Sequence, residues 1–258
     1  MTPISLDTEC RVAIAEDAES LASLHDRELT PRFFAALREA RFPECLGLMP
    51  ATVPTTAAWR AMRYTLSLQP ATPNAHWFDN LAADYAAIYL TNAYGASPLE
   101  SVWLDDDHLS CQDAMFELRA IYAAAGLATR NWRQRPDDHL VLQLLYVSHA
   151  ARNADTPDDW RALAHMLDEH LLRWIDDFAS RIVARSEASF YAALAVLTSA
   201  WLDTLRTLIA AHLKEARPTR EEIEMRMKSP VEDKVVPLAF MPGLGPDAID
   251  ALNGLQTQ

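Results

Sequence analysis

The stretch "SEASFYAALAVLTSAWLDTLRTLIAAHLKEA" (residues 186–216) decides the fold class. Its apolar residues recur at three- and four-residue spacing, the signature of a helix with a buried stripe. No stretch of the chain alternates cleanly with period two, as a half-buried strand would. Ser186-Glu187 reads as its start: a capping side chain, then an acid in the first turn. The longest apolar run, "YAALAVLTSAWL" (191–202), has 12 residues, some of them polar. That is too short for a bilayer core, so no stable membrane insertion is expected.

The same spacing extends outward through most of the chain, and glycines number only 6. The expected fold is all-α, a single large helical domain of about nine helices. The spacing predicts helices near 9–26, 31–41, 54–69, 74–94, 105–126, 136–153, 157–184, 187–215 and 219–228. Thr30-Pro31, Pro73-Asn74 and Thr156-Pro157, the last followed by Asp158 and Asp159, mark starts. Segments 94–103 and 127–135 read as loops. The helical domain is expected over 1–217, with a C-terminal helix and a Pro/Gly-containing tail over 218–258.

Composition narrows the function classes. Of 258 residues, 36 are Asp or Glu and 23 Lys or Arg, a net charge of −13. A nucleic-acid groove needs clustered basic residues, so an acidic chain argues against one and fits a positively charged partner. Cys10, Cys45 and Cys111 form no CxxC pair, which indicates neither a disulfide framework nor a zinc knuckle and suits a reducing compartment. The N-terminus has no basic segment followed by a long apolar one, so no signal peptide is expected and the protein is placed in the cytoplasm.

"RQRPDDHL" (133–140) is the most suggestive polar cluster. Proline suits a first helical position and aspartates a first turn, which accounts for Pro136, Asp137 and Asp138. His139 is left over, on a wheel face with Leu142, Gln143 and Tyr146 that reads as the lining of a cleft. A metal site needs three or four ligands at fitting spacing. "LDDDHLSC" (104–111) offers acids at a helix start, and His165 and His170 are five apart rather than four, so no metal and no cofactor are expected. Nor is there a GxSxG elbow or a glycine-rich phosphate loop. "FMPGLGPDAIDAL" (240–252) resembles half of a helix-hairpin-helix, but Asp247 and Asp250 stand where basic residues would meet phosphate. In "HWFDNLAADYAAIYLTNAY" (76–94), Asp84 falls within the apolar stripe of Trp77, Leu81 and Ile88, with Tyr85 at its edge. A carboxylate there needs a partner: either an internal pair with an arginine, or a groove that accepts a cationic apolar peptide. An enzyme using the Asp/His cluster, such as a metal-assisted hydrolase, is the alternative class.

Six segments stand in an order that resembles the TorD/DmsD family of molybdoenzyme-specific chaperones: "LAADYAAIYL", "ASPLESVWL", "FELRAIYAAAGL", "RPDDHLVLQLLYVSHA", "HLLRWIDDFASRI" and "FYAALAVLTSAWL". They cover roughly residues 77–202, about half of the chain. The resemblance implies an all-helical cytoplasmic chaperone, not an enzyme. It would bind the twin-arginine signal peptide and apo form of a molybdopterin-containing catalytic subunit, aid cofactor insertion and prevent early export, as a monomer or homodimer. Pro136, Asp138 and His139 match the family's P-x-D-H motif, associated with signal-peptide binding. Ser97, Pro98, Glu100 and Ser101 match its S-P-x-E-S motif, and Asp84 with Tyr85 the acidic–aromatic pair. Leu99 and Trp103 stand where the family often has tyrosines, and Arg135 where an acid often precedes the proline.

Overall fold

A computed structural model describes residues 6–186 and 189–227. The chain divides into two compact units, residues 1–218 and 219–258. The first holds α1 (Thr8–Asp26), α2 (Pro31–Glu39), α3 (Val53–Ser67), α4 (Ala75–Tyr85), α5 (Ser101–Leu104), α6 (Asp113–Ala124), α7 (Leu140–Arg152), α8 (Pro157–Met166), α9 (Leu172–Arg185) and α10 (Ser189–Leu213). The second begins at Thr219 and contains α11 (Arg220–Met227). Among the described residues there is no strand, only one isolated bridge, so the all-α expectation holds. The tail and its PGLG turn lie outside the described residues.

Side-chain caps set most helix starts. Asp7, Thr30 and Asn74 each accept a backbone N–H from three residues on, at α1, α2 and α4. Reciprocal capping boxes open α3 (Thr52 with Thr55) and α8 (Thr156 with Asp159), each with proline in the first turn.

The core is built around α10. Phe190, Tyr191, Leu194, Leu197, Trp201, Leu202, Leu205 and Ile209 are all buried on it. It packs on α3 and α9 and reaches α8, α4 and α1, while α1 and α7 form a second closely packed pair. By length and composition Phe190–Leu213 could cross a membrane, contrary to the 12-residue estimate; 61% of its most apolar window is buried inside the protein. Polar anchors tie the core together. Asp17 of α1 accepts hydrogen bonds from Gly47 N (2.8 Å), Leu48 N (2.9 Å) and Trp201 Nε1 (3.0 Å). Asp168 and Arg206 form a buried two-pronged pair, both contacts 2.8 Å.

Several boundaries differ from the expected ones, each for a local reason. The helix expected over 105–126 begins at Asp113, because Asp105 accepts N–H groups of Asp107 and Leu109 (3.1 Å each) and closes a turn instead. His108 and Cys111 in that turn have φ of +55° and +62°. The loop expected over 94–103 contains the start of α5. The helix expected over 157–184 carries a π-helical turn at Leu167–Leu171, between α8 and α9, and α4 runs on into another at Ala86–Leu90. Ser186 terminates α9, and its hydroxyl donates to Asp84; the helix start expected at Ser186-Glu187 lies partly outside the described residues. The helix expected from Pro136 begins at Leu140.

Candidate functional site

That last shift reorganises the 133–140 segment. Helix α7 is capped by His139, whose Nδ1 accepts the Val141 N–H at 3.1 Å. Leu140 N donates to Pro98 O (2.8 Å) and Glu100 N to Asp138 O (3.2 Å), so the 97–101 and 136–140 segments lie antiparallel, bridged at Leu99 and His139. Pro136, Asp137 and Asp138 thus precede the helix: the other loop holds Asp138, and Arg119 and Thr129 hold Asp137. The helix-start explanation of those three residues is therefore corrected.

The carboxylates of both motifs point inward. Asp138 is fully buried; its Oδ2 accepts from Ser101 N (2.9 Å) and Ser101 Oγ (2.6 Å). Asp137 receives Arg119 Nε (2.9 Å) and NH2 (2.8 Å) on one oxygen and the Thr129 hydroxyl on the other. Tyr122 donates to its carbonyl at 3.0 Å, and Gln143 Nε2 to that of Asp138 at 2.9 Å. Glu100 is fully buried and meets His170 Nδ1 at 2.8 Å. Burial raises the pKa of Glu100, with the His170 contact opposing. Burial also disfavours a charged His170, but the hydrogen bond and charge of Glu100 outweigh it, and that pKa is raised too. Together these groups cross-brace the two loops from below.

Asp84 is buried as well. It accepts from the Tyr94 hydroxyl (2.6 Å) and from Ser186, which is the internal alternative with hydroxyls rather than an arginine.

Above the brace the two loops and the π turn after α4 enclose a cleft of about 290 Å³. Its walls include His25, Tyr85, Tyr89, Leu90, Pro98, Leu99, Arg135 and His139, with Ser97 and Pro136. Of the expected site residues, the cleft thus gathers Tyr85, Ser97, Pro98, Pro136 and His139. It leaves Asp84, Glu100, Ser101 and Asp138 behind its walls, so these carboxylates do not face an incoming peptide. Leu90 is 70% exposed on its lip. The π turn puts it there: Thr91 N reaches back five residues to Ala86 O (2.9 Å), which advances the following residues relative to an α-helix.

Both histidines of the cleft are neutral. Burial lowers the His25 pKa to about 3. Its ring sits between Tyr89 OH (2.6 Å) and Thr198 Oγ1 (2.8 Å). Thr198 gives its own proton to Leu194 O, so it accepts from His25 Nε2–H, and Tyr89 donates to Nδ1. Burial, followed by the Arg135 charge, lowers the His139 pKa to about 3, against the pull of Asp26. With Nδ1 capping α7, its Nε2 carries the proton. Asp138 and His139 thus have separate duties and do not assemble an acid–base pair.

Sequence reasoning missed four contributors: His25, Asp26, Tyr89 and His170. Tyr89 lies four residues after Tyr85, on the same helix face, and that spacing could have flagged it. His170 was read only against His165. A larger groove of about 700 Å³ between α3, α9 and α10 contains none of the motif residues. Among the described residues no three His, Cys, Asp or Glu side chains are grouped to hold a metal.

Comparison with known proteins bears on this geometry. Residues 52–180 match a family model described as nitrate reductase delta subunit. A chaperone protein TorD of Shewanella loihica is 31% identical over 129 residues, 48% of this chain and 59% of its own length. One from Shewanella pealeana is 28% identical, over 47% of this chain and 57% of its own. The matched region thus spans under two thirds of these two relatives. A TorD protein of Escherichia coli O7:K1 is 27% identical over 188 residues, 69% of this chain and 86% of its own.

Proposed function

The chain belongs to the TorD/DmsD family, and from that premise we propose that it is a cytoplasmic chaperone, not an enzyme, for a molybdopterin-containing oxidoreductase. Its client is the apo catalytic subunit, held by a twin-arginine signal peptide until the cofactor is in place. The observation that carries this reading is the cleft: the π turn and the 97–101 loop that follows it meet the 133–140 segment and His25 of α1 around one concavity with aromatic and aliphatic walls. A signal peptide joins two guanidinium groups to an apolar segment. The apolar part lies against Tyr89, Leu90, Pro98 and Leu99, where helix-in-groove or extended binding buries it. The His139 Nε2–H is a donor for a peptide carbonyl. The net charge of −13 speeds encounter with a cationic segment and makes it salt-sensitive.

The test is calorimetric titration of the protein with a synthetic peptide carrying two adjacent arginines and a following apolar stretch. One-to-one binding that weakens with salt is expected. Leu90→Lys places a cation on the exposed lip without disturbing the core, and should abolish it. Equal affinity of the wild type and Leu90→Lys would move the peptide off this cleft.

A further inference from the structure

One charged pair at the cleft is not explained by the brace. Arg135, the single charged side chain among the described residues of its walls, reaches away to Asp26, with NH1 and Oδ1 2.6 Å apart. Asp26 is the last residue of α1, where the negative end of the helix dipole disfavours a carboxylate. The position is nevertheless built. Tyr85 anchors its carbonyl with a 2.7 Å hydrogen bond, and the Arg27 guanidinium stands 3.4 Å from Oδ2. Oδ1 is shielded from solvent, yet among the described residues no group directs a well-formed hydrogen bond at it. Arg135 meets it at short distance with poor alignment. An acceptor oxygen is thus held beside the cleft by a cation that fits it imperfectly.

The motif carboxylates cannot serve an incoming guanidinium, because Asp138, Glu100 and Asp84 are buried and engaged. Asp26 is the carboxylate within reach. We propose that Asp26 receives one guanidinium of the client peptide, and that Arg135 is a built-in competitor that occupies this position at rest and swings out when the client binds. Both side chains of the pair are partly exposed, at 40% and 25%, so exchanging one guanidinium for another is nearly balanced. The outcome is then decided by the apolar segment that the client brings and Arg135 lacks. A lone arginine side chain does not displace it, whereas an arginine attached to an apolar helix or strand does. The proposal rests on the peptide-docking reading above and assigns its cationic subsite.

The experiment titrates the full chain and three variants, Arg135→Gln, Asp26→Asn and Leu90→Lys, with a labelled Arg-Arg peptide and its Lys-Lys counterpart. Thermal melts verify that each variant is folded. Removing the competitor should tighten Arg-Arg binding by about threefold to tenfold. Asp26→Asn should weaken it by about tenfold and erase the preference over Lys-Lys, since a planar fork no longer meets a carboxylate. If the wild type binds, Leu90→Lys does not, and the other two variants match the wild type, docking stands and the exchange is wrong. Weaker binding by Arg135→Gln would equally overturn it. Binding to none of the proteins, Arg135→Gln included, overturns both the exchange and the docking reading.

Discussion

Replacing Asp138 with alanine separates an internal brace from a peptide ligand. The carboxylate is fully buried and holds Ser101 by two short hydrogen bonds, at 2.9 and 2.6 Å. Hydrogen bonds to a charged group are worth about 1.5–3 kcal/mol each, so the gross loss is about 3–6 kcal/mol. Part returns, because the second oxygen, Oδ1, is buried with no hydrogen-bond partner among the described residues and its removal relieves desolvation. A net loss of about 2–4 kcal/mol results. For a chain of this size that lowers the melting temperature by about 4–16 °C. Asp138→Asn keeps one oxygen for the Ser101 N–H and should lose about half as much. The assay is urea unfolding followed by circular dichroism, with peptide titration on the same preparations. A variant as stable as the wild type that nevertheless loses peptide would refute the reasoning, because an accessible ligand, not a brace, behaves that way.

Three further outcomes are expected. His139→Ala removes the α7 cap and should cost about 1 kcal/mol in urea unfolding, whereas His139→Asn, a good capping residue, should restore most of it. His25 is buried and neutral, with its pKa lowered to about 3. The unfolded chain therefore binds one more proton below about pH 6.5, and stability falls as pH drops from there toward the folded value. His25 and His139 each contribute a slope of about 1.4 kcal/mol per pH unit, so His25→Gln should reduce the pH dependence by about that amount in melts between pH 6.5 and 4.5, leaving the His139 share. At Gly47, a Cβ would stand 2.7 Å from Ala13 Cβ. Gly47→Ala should destabilise by about 1–3 kcal/mol, with Ala13→Gly added to it recovering part in a double-mutant cycle.

The helical class was legible because it depends on periodicity, and α2, α4 and α8 were located by caps written in a few neighbouring residues. The misplaced helix starts share one cause. Asp105 and the Pro136–Asp138 segment carry residues that open helices in isolation, but other partners recruited them. Ser101, 37 residues away, claims Asp138, and Arg119 claims Asp137. No local pattern encodes a hydrogen bond over that separation. The candidate site was legible to the same extent. The motif segments do meet, and Tyr85, Pro98, Pro136 and His139 line the cleft. Which of their neighbours turn inward depends on burial, which charge patterning does not report. Asp26 was invisible for the same reason: it stood in the sequence as one more acid at the end of a helix.

The two π turns have a consequence for how length is tolerated here. Each holds one residue more than an α-helix would use for the same advance. The first delivers Leu90 to the cleft lip, and the second carries His170 to Glu100 and Asp168 to Arg206. Deleting a single residue within either turn would restore ordinary helical winding, leave the flanking helical residues in register and shift only the residues of the turn itself. Both loops and the helices between them would remain intact, yet the lip or the buried pair would face elsewhere. Residue number is therefore constrained at 86–90 and 167–171 alongside the identities of Leu90, Asp168 and His170, and a one-residue gap should be felt at the lip or the buried pairs rather than in the helices on either side.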